Sequence, residues 1–365
     1  MKGNKQTPFW VCKSMQIVTN IHALKRTKWL WLFLVAILLR VLLPDEVVET
    51  LYGRSLFPPL RMAQGFLSSL FGFPLIYLLL LTILAGGIWI FVKKGRKKGL
   101  WFIFSTVFSL GFTFLLLWGY NYNRVPFEKY VKLPVRPLGE EDLESEFEIA
   151  TAQVLENRRA LGISLALAVT EFPSFDRLNS EILPGVRSAV GQWGYPAEGS
   201  VRARLLYPKG VLLRFSSSGV YLPWTGEGHI DAGLYPLNWP FVMAHEMSHG
   251  YGMANEGVCN FIAYQVCLSH PDPFIRYAGA LYYWRYAAYE MKRFCPAELQ
   301  ARIEALPKGI RLDLEAIRDN YDRYPDLIPQ WKNLVYDSFL KSQGLKEGVL
   351  SYETVLVLVH AWRSL

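Results

Sequence analysis

The chain has 365 residues, enough for one large domain or two smaller ones, so its core needs no disulfide bonds. Hydrophobic residues make up 52% of the chain and charged residues only 19%, which excludes a disordered protein and points to a membrane protein. The net charge of +8 comes from basic residues that flank apolar runs, chiefly in the ranges 1–28 and 93–98. We therefore expect no nucleic-acid partner.

Three apolar runs lie in the first third of the chain. Phe66–Val92 and Leu100–Tyr120 carry no charged residue, and each is long enough to cross a hydrocarbon core about 30 Å thick. Trp29–Leu43 is shorter and contains Arg40, whose charged end can reach the membrane interface. This first run lacks the cleavage pattern of a signal peptide, so we interpret it as an uncleaved anchor. The sequence predicts a membrane domain in contact with the lipid bilayer over residues 29–120, with spans at about 29–43, 66–92 and 100–120.

Charged residues around these runs set the expected orientation. Three basic residues within 25–28 precede the first run, and the basic cluster 93–98 separates the second run from the third. Because lysine and arginine concentrate on the cytoplasmic side of membrane helices, both clusters are expected inside. Residues 1–28 then form a cytoplasmic N-terminal segment, and residues 121–365 form one domain on the outer side.

The outer domain combines helical patterns with a short β-prone region. Asn121–Pro137 contains three prolines and is predicted as an extended linker, whereas Glu140–Leu161 has helical spacing with acidic residues near its start. Three β-prone runs follow, at 205–207, 211–213 and 220–222. They predict a small sheet that includes a hairpin. Further helices are predicted at Phe241–Gly250, Glu256–Ser269, Phe274–Phe294, Ala297–Leu306, Pro329–Lys341 and Tyr352–Ser364. The predicted fold class is α+β, mostly α.

The most specific motif is His-Glu-Met-Ser-His at residues 245–249. Residues four apart on a helix lie on one face about one turn apart, so the imidazoles of His245 and His249 can reach one Zn²⁺ ion. Glu246 then lies beside the metal without binding it, where its carboxylate can accept a proton from a zinc-bound water. An apolar helical face precedes the motif, and Pro240 suits a first helical turn. The alternative is a histidine pair without a metal.

A catalytic zinc site needs a third protein ligand and one open position. Two glycines and Asn255 end the motif helix, and Glu256 begins a second helical stretch that can return a carboxylate to the same ion. We therefore predict His245, His249 and Glu256 as metal ligands and Zn²⁺ as the cofactor. The alternative for Glu256 is an ordinary acid in a first helical turn, where the helix dipole favours negative charge.

The order of these residues resembles the gluzincin metallopeptidases, in which a glutamate follows the HExxH motif and a polar residue stands four places later. In that family the later residue, usually aspartate, orients the first zinc histidine. Asn260 occupies the matching place, so the resemblance implies that its side-chain oxygen accepts a hydrogen bond from His245. The metzincin pattern matches at Gly252 but requires a histidine at position 255, where this chain has Asn255.

A second resemblance is carried by segments along nearly the whole chain, namely 44–49 with Tyr52, 118–124, 219–227, 245–249, and 335–341 with Ser351 and Tyr352. They resemble a bacterial family of multi-span membrane proteins of unknown function that is described as zincin-like. This resemblance implies that three N-terminal transmembrane helices are followed by a zincin-like metallopeptidase domain over 121–365. It also implies that this domain is tethered to the outer face of a bacterial cytoplasmic membrane.

Further residues are candidates for contact with a substrate. In zincins an edge strand above the metal pairs with an extended peptide, and Val220–His229 is the stretch that precedes the motif helix. A structural hairpin is the alternative for this stretch. A tetrahedral intermediate also needs a hydrogen-bond donor for its oxyanion, and Tyr352, His229 and Tyr264 are the candidate donors.

These features predict a membrane-anchored zinc metallopeptidase in which Glu246 is the general base against a peptide or protein substrate. Two other functions stay open. The domain could keep the fold for recognition and act as a membrane sensor or binding module without hydrolysis. A transporter is less consistent with three spans and few polar intramembrane residues. The natural substrate and the oligomeric state are also left open.

Overall fold

The computed structural model describes residues 27–327 and 351–365, except for the side chains of 351–353. Helices dominate and three strands form one small mixed sheet, which confirms the α+β class with mostly α content. The helices of the described ranges are α1 (27–42), α2 (Phe57–Ser69), α3 (Ile76–Lys94), α4 (Arg96–Leu117), α5 (Phe127–Val131), α6 (Glu140–Ala160), α7 (Phe175–Gln192), α8 (Trp239–Gly250), α9 (Glu256–Leu268), α10 (Pro273–Phe294), α11 (Pro296–Ala305), α12 (Lys308–Asp322) and α13 (Ser351–Arg363). A helical turn, Asp45–Val47, and a π-helical segment, Val48–Leu56, precede α2. The strands are β1 (Arg202–Leu206), β2 (Gly219–Leu222) and β3 (Glu227–Asp231).

The chain divides into two compact units. The first unit holds the chain up to Leu43 together with Ile76–Tyr120. The second unit holds Pro44–Leu75 together with Asn121–Leu365. The second unit is therefore built from two pieces of chain that α3 and α4 separate in the sequence.

Two helices among the described residues, α3 and α4, are long and apolar enough to cross a membrane, where the sequence predicted three spans. The predicted span 29–43 lies on α1, which in the described chain is shorter than the roughly 20 residues that a span needs. The predicted span 100–120 lies mostly within α4. The apolar runs of the sequence therefore located these helices. Of the three predicted spans, only two correspond to described helices that are long enough to cross a membrane.

The predicted span 66–92 is wrong in its bounds, because α2 ends at Ser69 and α3 begins at Ile76. Pro74 has no backbone N–H and disfavours the helical conformation at Phe73, so the chain breaks between the two helices. An apolar run without charges does not reveal this break. The residues before it belong to the second unit rather than to a membrane helix.

The stretch Pro44–Leu75 is held in the second unit by buried ion pairs and hydrogen bonds, although the sequence placed it in the membrane domain. Arg124 donates two hydrogen bonds, of 2.7 and 2.8 Å, to the carboxylate of Glu49. The Ser68 hydroxyl donates to the Glu227 carboxylate of β3 at 2.6 Å. Both carboxylates are buried, so the loss of either partner would leave a buried group without its compensation.

Asn121–Pro137, predicted as an extended linker, contains the short helix α5. Pro126 precedes the first turn of this helix, where the missing N–H of a proline costs no hydrogen bond. The ring of Phe127 is buried and packs edge-on against Trp193 at 5.4 Å and Phe261 at 5.9 Å between ring centroids. This proline-containing segment is therefore packed against the rest of the second unit and is not an extended linker.

The sheet has the strand order β1-β3-β2, so β3 is the central strand. β1 runs parallel to β3, and β2 forms the predicted antiparallel hairpin with β3. The predicted β-run at 211–213 is not a strand. The carboxylate of Asp231 accepts hydrogen bonds from the backbone N–H groups of Gly210, Leu212 and Leu213 at 2.7, 2.7 and 3.2 Å, which holds this run in a turn.

The helices predicted after the sheet are confirmed within about two residues, except for Pro329–Lys341, which lies outside the described residues. The sequence reading missed α7 and α12. In α7 the buried residues Leu178, Ile182, Val186 and Val190 recur every four positions, a signal that Pro184 and nearby glycines obscured. Helix α8 lies at the centre of the second unit, with the sheet against one side and α7, α9 and α10 around it.

A buried carboxylate joins three helices of the second unit. Asp313 of α12 accepts hydrogen bonds from the Tyr277 hydroxyl of α10 and the Val169 backbone N–H, each at 2.7 Å. Arg158 of α6 is fully buried, and its Nε lies 3.5 Å from the same carboxylate. One acid therefore compensates a buried cation and fixes the relative positions of α6, α10 and α12.

We expect Asp313→Ala to lower the free energy of unfolding of the second unit by about 3–5 kcal/mol, because Arg158 would stay buried without a counter-charge. Denaturant unfolding of the full chain in detergent, followed by circular dichroism, measures the change. The matched control is Asp319→Ala on the exposed face of the same helix, which should change the unfolding midpoint little. Equal midpoints for both variants would contradict this role.

Candidate metal site

The motif helix α8 and the helix α9 are joined by a tight turn that returns the chain onto itself. Gly252 in this turn has a φ of 91°, a conformation that residues with a side chain rarely adopt. The Asn255 side chain then accepts a hydrogen bond from the Val258 N–H at 3.1 Å and caps the start of α9. The turn therefore brings the first residue of α9, Glu256, back beside the histidines of α8.

Three ligand atoms converge between the two helices. His245 Nε2 lies 3.1 Å from His249 Nε2 and 3.1 Å from Glu256 Oε2, and His249 Nε2 lies 3.5 Å from Glu256 Oε2. Atoms bound to one Zn²⁺ at 2.0–2.1 Å in a tetrahedron stand about 3.3 Å apart, close to the separations found here. The predicted trio is thus brought together, with donor types and spacings that suit a zinc ion.

Hydrogen bonds to the outer ring nitrogens orient both histidines. His245 Nδ1 donates to Asn260 Oδ1 at 2.8 Å, which places Asn260 where the resemblance implied. His249 Nδ1 donates to the backbone oxygen of Met253 at 2.8 Å. Because each Nδ1 donates to an oxygen, Nε2 is the ring nitrogen that faces the common point in both histidines. The sequence could not reveal the Met253 contact, since any residue supplies a backbone oxygen.

A thiol also lies beside the second histidine. Cys259 Sγ is 3.3 Å from His249 Nδ1 and donates to the Met253 oxygen at 3.3 Å. Burial raises the pKa of Cys259 to about 11, so the thiol is neutral at physiological pH. It therefore packs behind the histidine and supplies no thiolate to the group.

The two glutamates of the site differ in their electrostatic environment. Burial alone would raise the pKa of Glu256, but His249 and His245 hold it well below the usual range, so this carboxylate is charged. Burial raises the pKa of Glu246, only partly offset by the histidines. Glu246 is 4% exposed, and its Oε2 has no hydrogen-bond partner among the described residues. A carboxylate of this kind is a ready proton acceptor.

Two glycines of the sheet pack closely against the Glu246 side chain. A Cβ at Gly219 would lie 2.6 Å from Glu246 Oε1, and a Cβ at Gly228 would lie 2.8 Å from Glu246 Cβ. Both positions therefore exclude a side chain. The predicted stretch Val220–His229 covers most of the hairpin formed by the edge strand β2, whose first residue Gly219 lies next to Glu246, and the central strand β3.

The structure does not bring two of the predicted oxyanion donors, His229 and Tyr264, to the His–His–Glu group. Successive side chains of a strand point to opposite faces, so His229 points away from the face on which Gly228 meets Glu246. His229 is fully buried with its Nε2 3.5 Å from Glu227. The hydroxyl of Tyr264 donates to Gln153 at 3.0 Å and receives a hydrogen bond from Arg363. The side chain of Tyr352 lies outside the described residues.

Comparison with protein families matches residues 52–360 to a family described as "Protein of unknown function (DUF3810)". The chain belongs to this family. No curated protein and no solved structure matches it. The family match extends over α3, α4 and the whole His–His–Glu group, and it agrees with the part of the predicted resemblance that named a family of unknown function.

We expect Asn260→Ala to weaken zinc binding by about 10- to 100-fold, because His245 would lose the acceptor that fixes its ring. Competition against a coloured chelator measures the affinity. Ser269→Ala, at the exposed end past α9, is the control and should bind zinc as the parent protein does. Unchanged affinity in Asn260→Ala would show that this hydrogen bond does not organise the site.

Proposed function

We propose that the protein is a membrane-anchored, zinc-dependent metallopeptidase. The observation that carries the proposal is the convergence of His245, His249 and Glu256 within hydrogen-bond distance of one another, beside the buried Glu246. Two imidazoles and one carboxylate form a typical protein ligand set for a catalytic zinc, which keeps one position open. Zn²⁺ bound there would act as a Lewis acid and lower the pKa of a water molecule.

In this proposal Glu246 is the general base. Its position next to His245 in the chain places its carboxylate beside the ligand group, and its burial raises its affinity for a proton. It accepts a proton from the attacking water and then returns it to the leaving amine. The glycines at 219 and 228 keep the sheet close enough to hold the Glu246 side chain in one place. No covalent bond between substrate and protein is needed.

An extended peptide has a place to bind in this proposal. β2 is an edge strand of the sheet, and its first residue, Gly219, contacts the Glu246 carboxylate. Edge strands offer unpaired backbone groups to a peptide that adds itself as a further strand. A peptide on β2 would therefore pass close to the general base, which supports a peptide or protein substrate.

A non-hydrolytic sensor or binding module is the second candidate function. The near-complete burial of Glu246 favours it, because a carboxylate with 4% exposure has little access to bulk water. In that case zinc would hold α8 and α9 together and recognition would take place on the surrounding surface. The two candidates differ in whether the function needs the Glu246 proton acceptor.

We also propose that the second unit lies outside a bacterial cytoplasmic membrane. α3 and α4 stand between the two pieces of chain that build this unit, and two crossings return a chain to the side from which it started. The basic cluster 93–98 between the helices favours a cytoplasmic connection. Both pieces of the second unit would then lie together on the outer side.

We expect Glu246→Gln to retain about one zinc per chain and to lose at least 1,000-fold in peptide hydrolysis, because the amide cannot accept the proton. Metal analysis and cleavage of a peptide library measure the two properties on the same preparation. Glu256→Gln is the matched control and should lose the metal as well as hydrolysis. Hydrolysis that persists in Glu246→Gln, or a parent protein without zinc, would contradict the proposal.

Reporter fusions test the orientation. A reporter that is active only outside the cytoplasm should be active when fused after Leu365 and inactive when fused at Gly95, between α3 and α4. The opposite pattern would place the second unit inside. This result bears on location and leaves the chemistry of the site untouched.

A further inference from the structure

Helix α2 turns its polar side chains into the second unit. Arg61, Gln64 and Ser68 recur every three or four residues, so they lie on one side of the helix. Arg61 is 1% exposed, and its guanidinium donates to two backbone oxygens, at 2.9 and 3.2 Å. The Gln64 amide donates to the backbone oxygen of Pro223. The Ser68 hydroxyl donates to the carboxylate of Glu227. The polar side of α2 therefore meets polar groups of the protein.

The opposite side of α2 is apolar and exposed. Phe66, near its middle, is 68% exposed. Arg61 is the only charged residue in the range 55–75, and it is buried, so no charged side chain of this stretch lies on the outer side. Five large apolar side chains are exposed on this side or in the loop directly after it, and we call them the α2 apolar face: Met62, Phe66, Leu67, Leu70 and Phe73.

This arrangement is the reverse of that of a surface helix in water. A helix on the surface of a soluble protein buries its apolar side and exposes its polar side. Large contiguous apolar patches are rare on soluble monomers, and they mark a contact with another protein or with a membrane. Because α2 keeps its polar residues inside and exposes apolar ones, its outer side is suited to an apolar medium.

The position of the α2 apolar face in the chain selects lipid as its partner. α3, which is long and apolar enough to cross a membrane, begins at Ile76. Phe73 precedes Ile76 by three residues, so their Cα atoms cannot lie more than about 11 Å apart. A membrane span that begins at Ile76 therefore keeps this end of the α2 apolar face close to the bilayer. Along the chain, the face continues directly into the apolar surface of α3.

We propose that the α2 apolar face is embedded in the membrane leaflet on the side of the second unit. The inference rests on the proposed membrane anchor, α3 with α4, and adds a lipid contact made by the second unit itself. Interfacial helices bury their apolar side about 5–10 Å into the boundary between headgroups and acyl chains. At that depth the five side chains leave water, while the polar side of α2 keeps its partners in the protein.

The inner side of α2 ties this lipid contact to the candidate site. Pro223 and Glu227, which accept hydrogen bonds from α2, stand at the two ends of the turn between β2 and β3. The guanidinium of Arg61 lies over the ring of Tyr251, the residue directly after α8, at 4.7 Å from the ring centroid. A helix with its side chains is about 10–12 Å across, so the β2–β3 turn would lie about one helix diameter from the lipid. A peptide that adds itself to β2 would then come from a chain held close to the membrane.

Quenching of a fluorescent label by lipid tests the contact. The full chain in lipid nanodiscs carries Phe66→Cys labelled with a fluorescent dye. Cys12→Ser and Cys295→Ser replace two of the native thiols, and the other two, Cys259 and Cys267, are fully buried. We expect a nitroxide on the lipid acyl chain to remove about half of the fluorescence or more, because the label lies within its reach, and iodide in the water to remove little. The measurement is made with one and with two chains per disc.

Two matched labels calibrate the quenchers. Leu167→Cys replaces a leucine of the second unit that is 60% exposed, in a loop whose backbone packs against α12. Its label should be quenched by iodide and little by the lipid nitroxide. Val107→Cys replaces an exposed residue of α4, and its label should be quenched by the lipid nitroxide. Circular dichroism confirms that each labelled protein is folded.

Each result supports or overturns the proposal. Quenching of the label at position 66 by lipid, with one and with two chains per disc, supports it. Quenching by iodide instead would place the α2 apolar face in water, and protection from both quenchers would mean that protein covers it. Loss of lipid quenching in discs with two chains would assign the face to a second copy of the chain. Any of these three results overturns the proposal.

The same measurement separates this inference from the proposed function. A label at position 107 that escapes the lipid quencher would reject the membrane anchor and this inference together. A quenched label at position 107 with an unquenched one at position 66 would keep the anchor and reject the inference alone. Zinc binding and hydrolysis do not enter the readout, so the proposed peptidase chemistry is tested independently.

Discussion

The burial of helix α8 at the centre of the second unit is the constraint on which the site depends. Polar side chains on a buried helix must find partners within the protein, because their loss of water is otherwise uncompensated. Each side chain of the motif meets this requirement differently. Ser248 donates to the backbone of Ala244 at 2.7 Å, and His249 donates to Met253. His245 donates to Asn260 and thereby ties α8 to α9. On the common face the Nε2 atoms of both histidines and the Glu256 carboxylate lie against one another beside Glu246, and this His–His–Glu group could hold a metal ion.

The second unit is discontinuous in the chain. The stretch Pro44–Leu75 carries Glu49 and Ser68, whose partners Arg124 and Glu227 come from the later part of the chain. An apolar hairpin, α3 with α4, is inserted between these parts. In the proposed topology, two membrane crossings by this hairpin would keep both pieces on one side of the bilayer.

The turn at Gly252 has two structural roles, one on each of its sides. On one side it sets the spacing between His249 and Glu256, and on the other it lines a small cavity together with Asn121 and Arg124. A positive φ at Gly252 is needed for the first role, and the absence of a side chain leaves room for the second.

The sequence by itself determined the features that repeat over one or two helical turns. The spacing of His245 and His249 places both on one face, and apolar periodicity located most helices after the sheet, since both follow from the geometry of a single helix. Tertiary structure decided the rest. In the folded chain His229 points away from the site, and Tyr264 belongs to a separate hydrogen-bond network. The stretch Pro44–Leu75 belongs to the second unit. Contacts such as that of Ser68 with Glu227 join residues far apart in the chain, so no local pattern encodes them. The backbone oxygen of Met253 and the unpaired atoms of Asn121 carry no sequence signal, because their surroundings depend entirely on which residues pack around them in the folded chain.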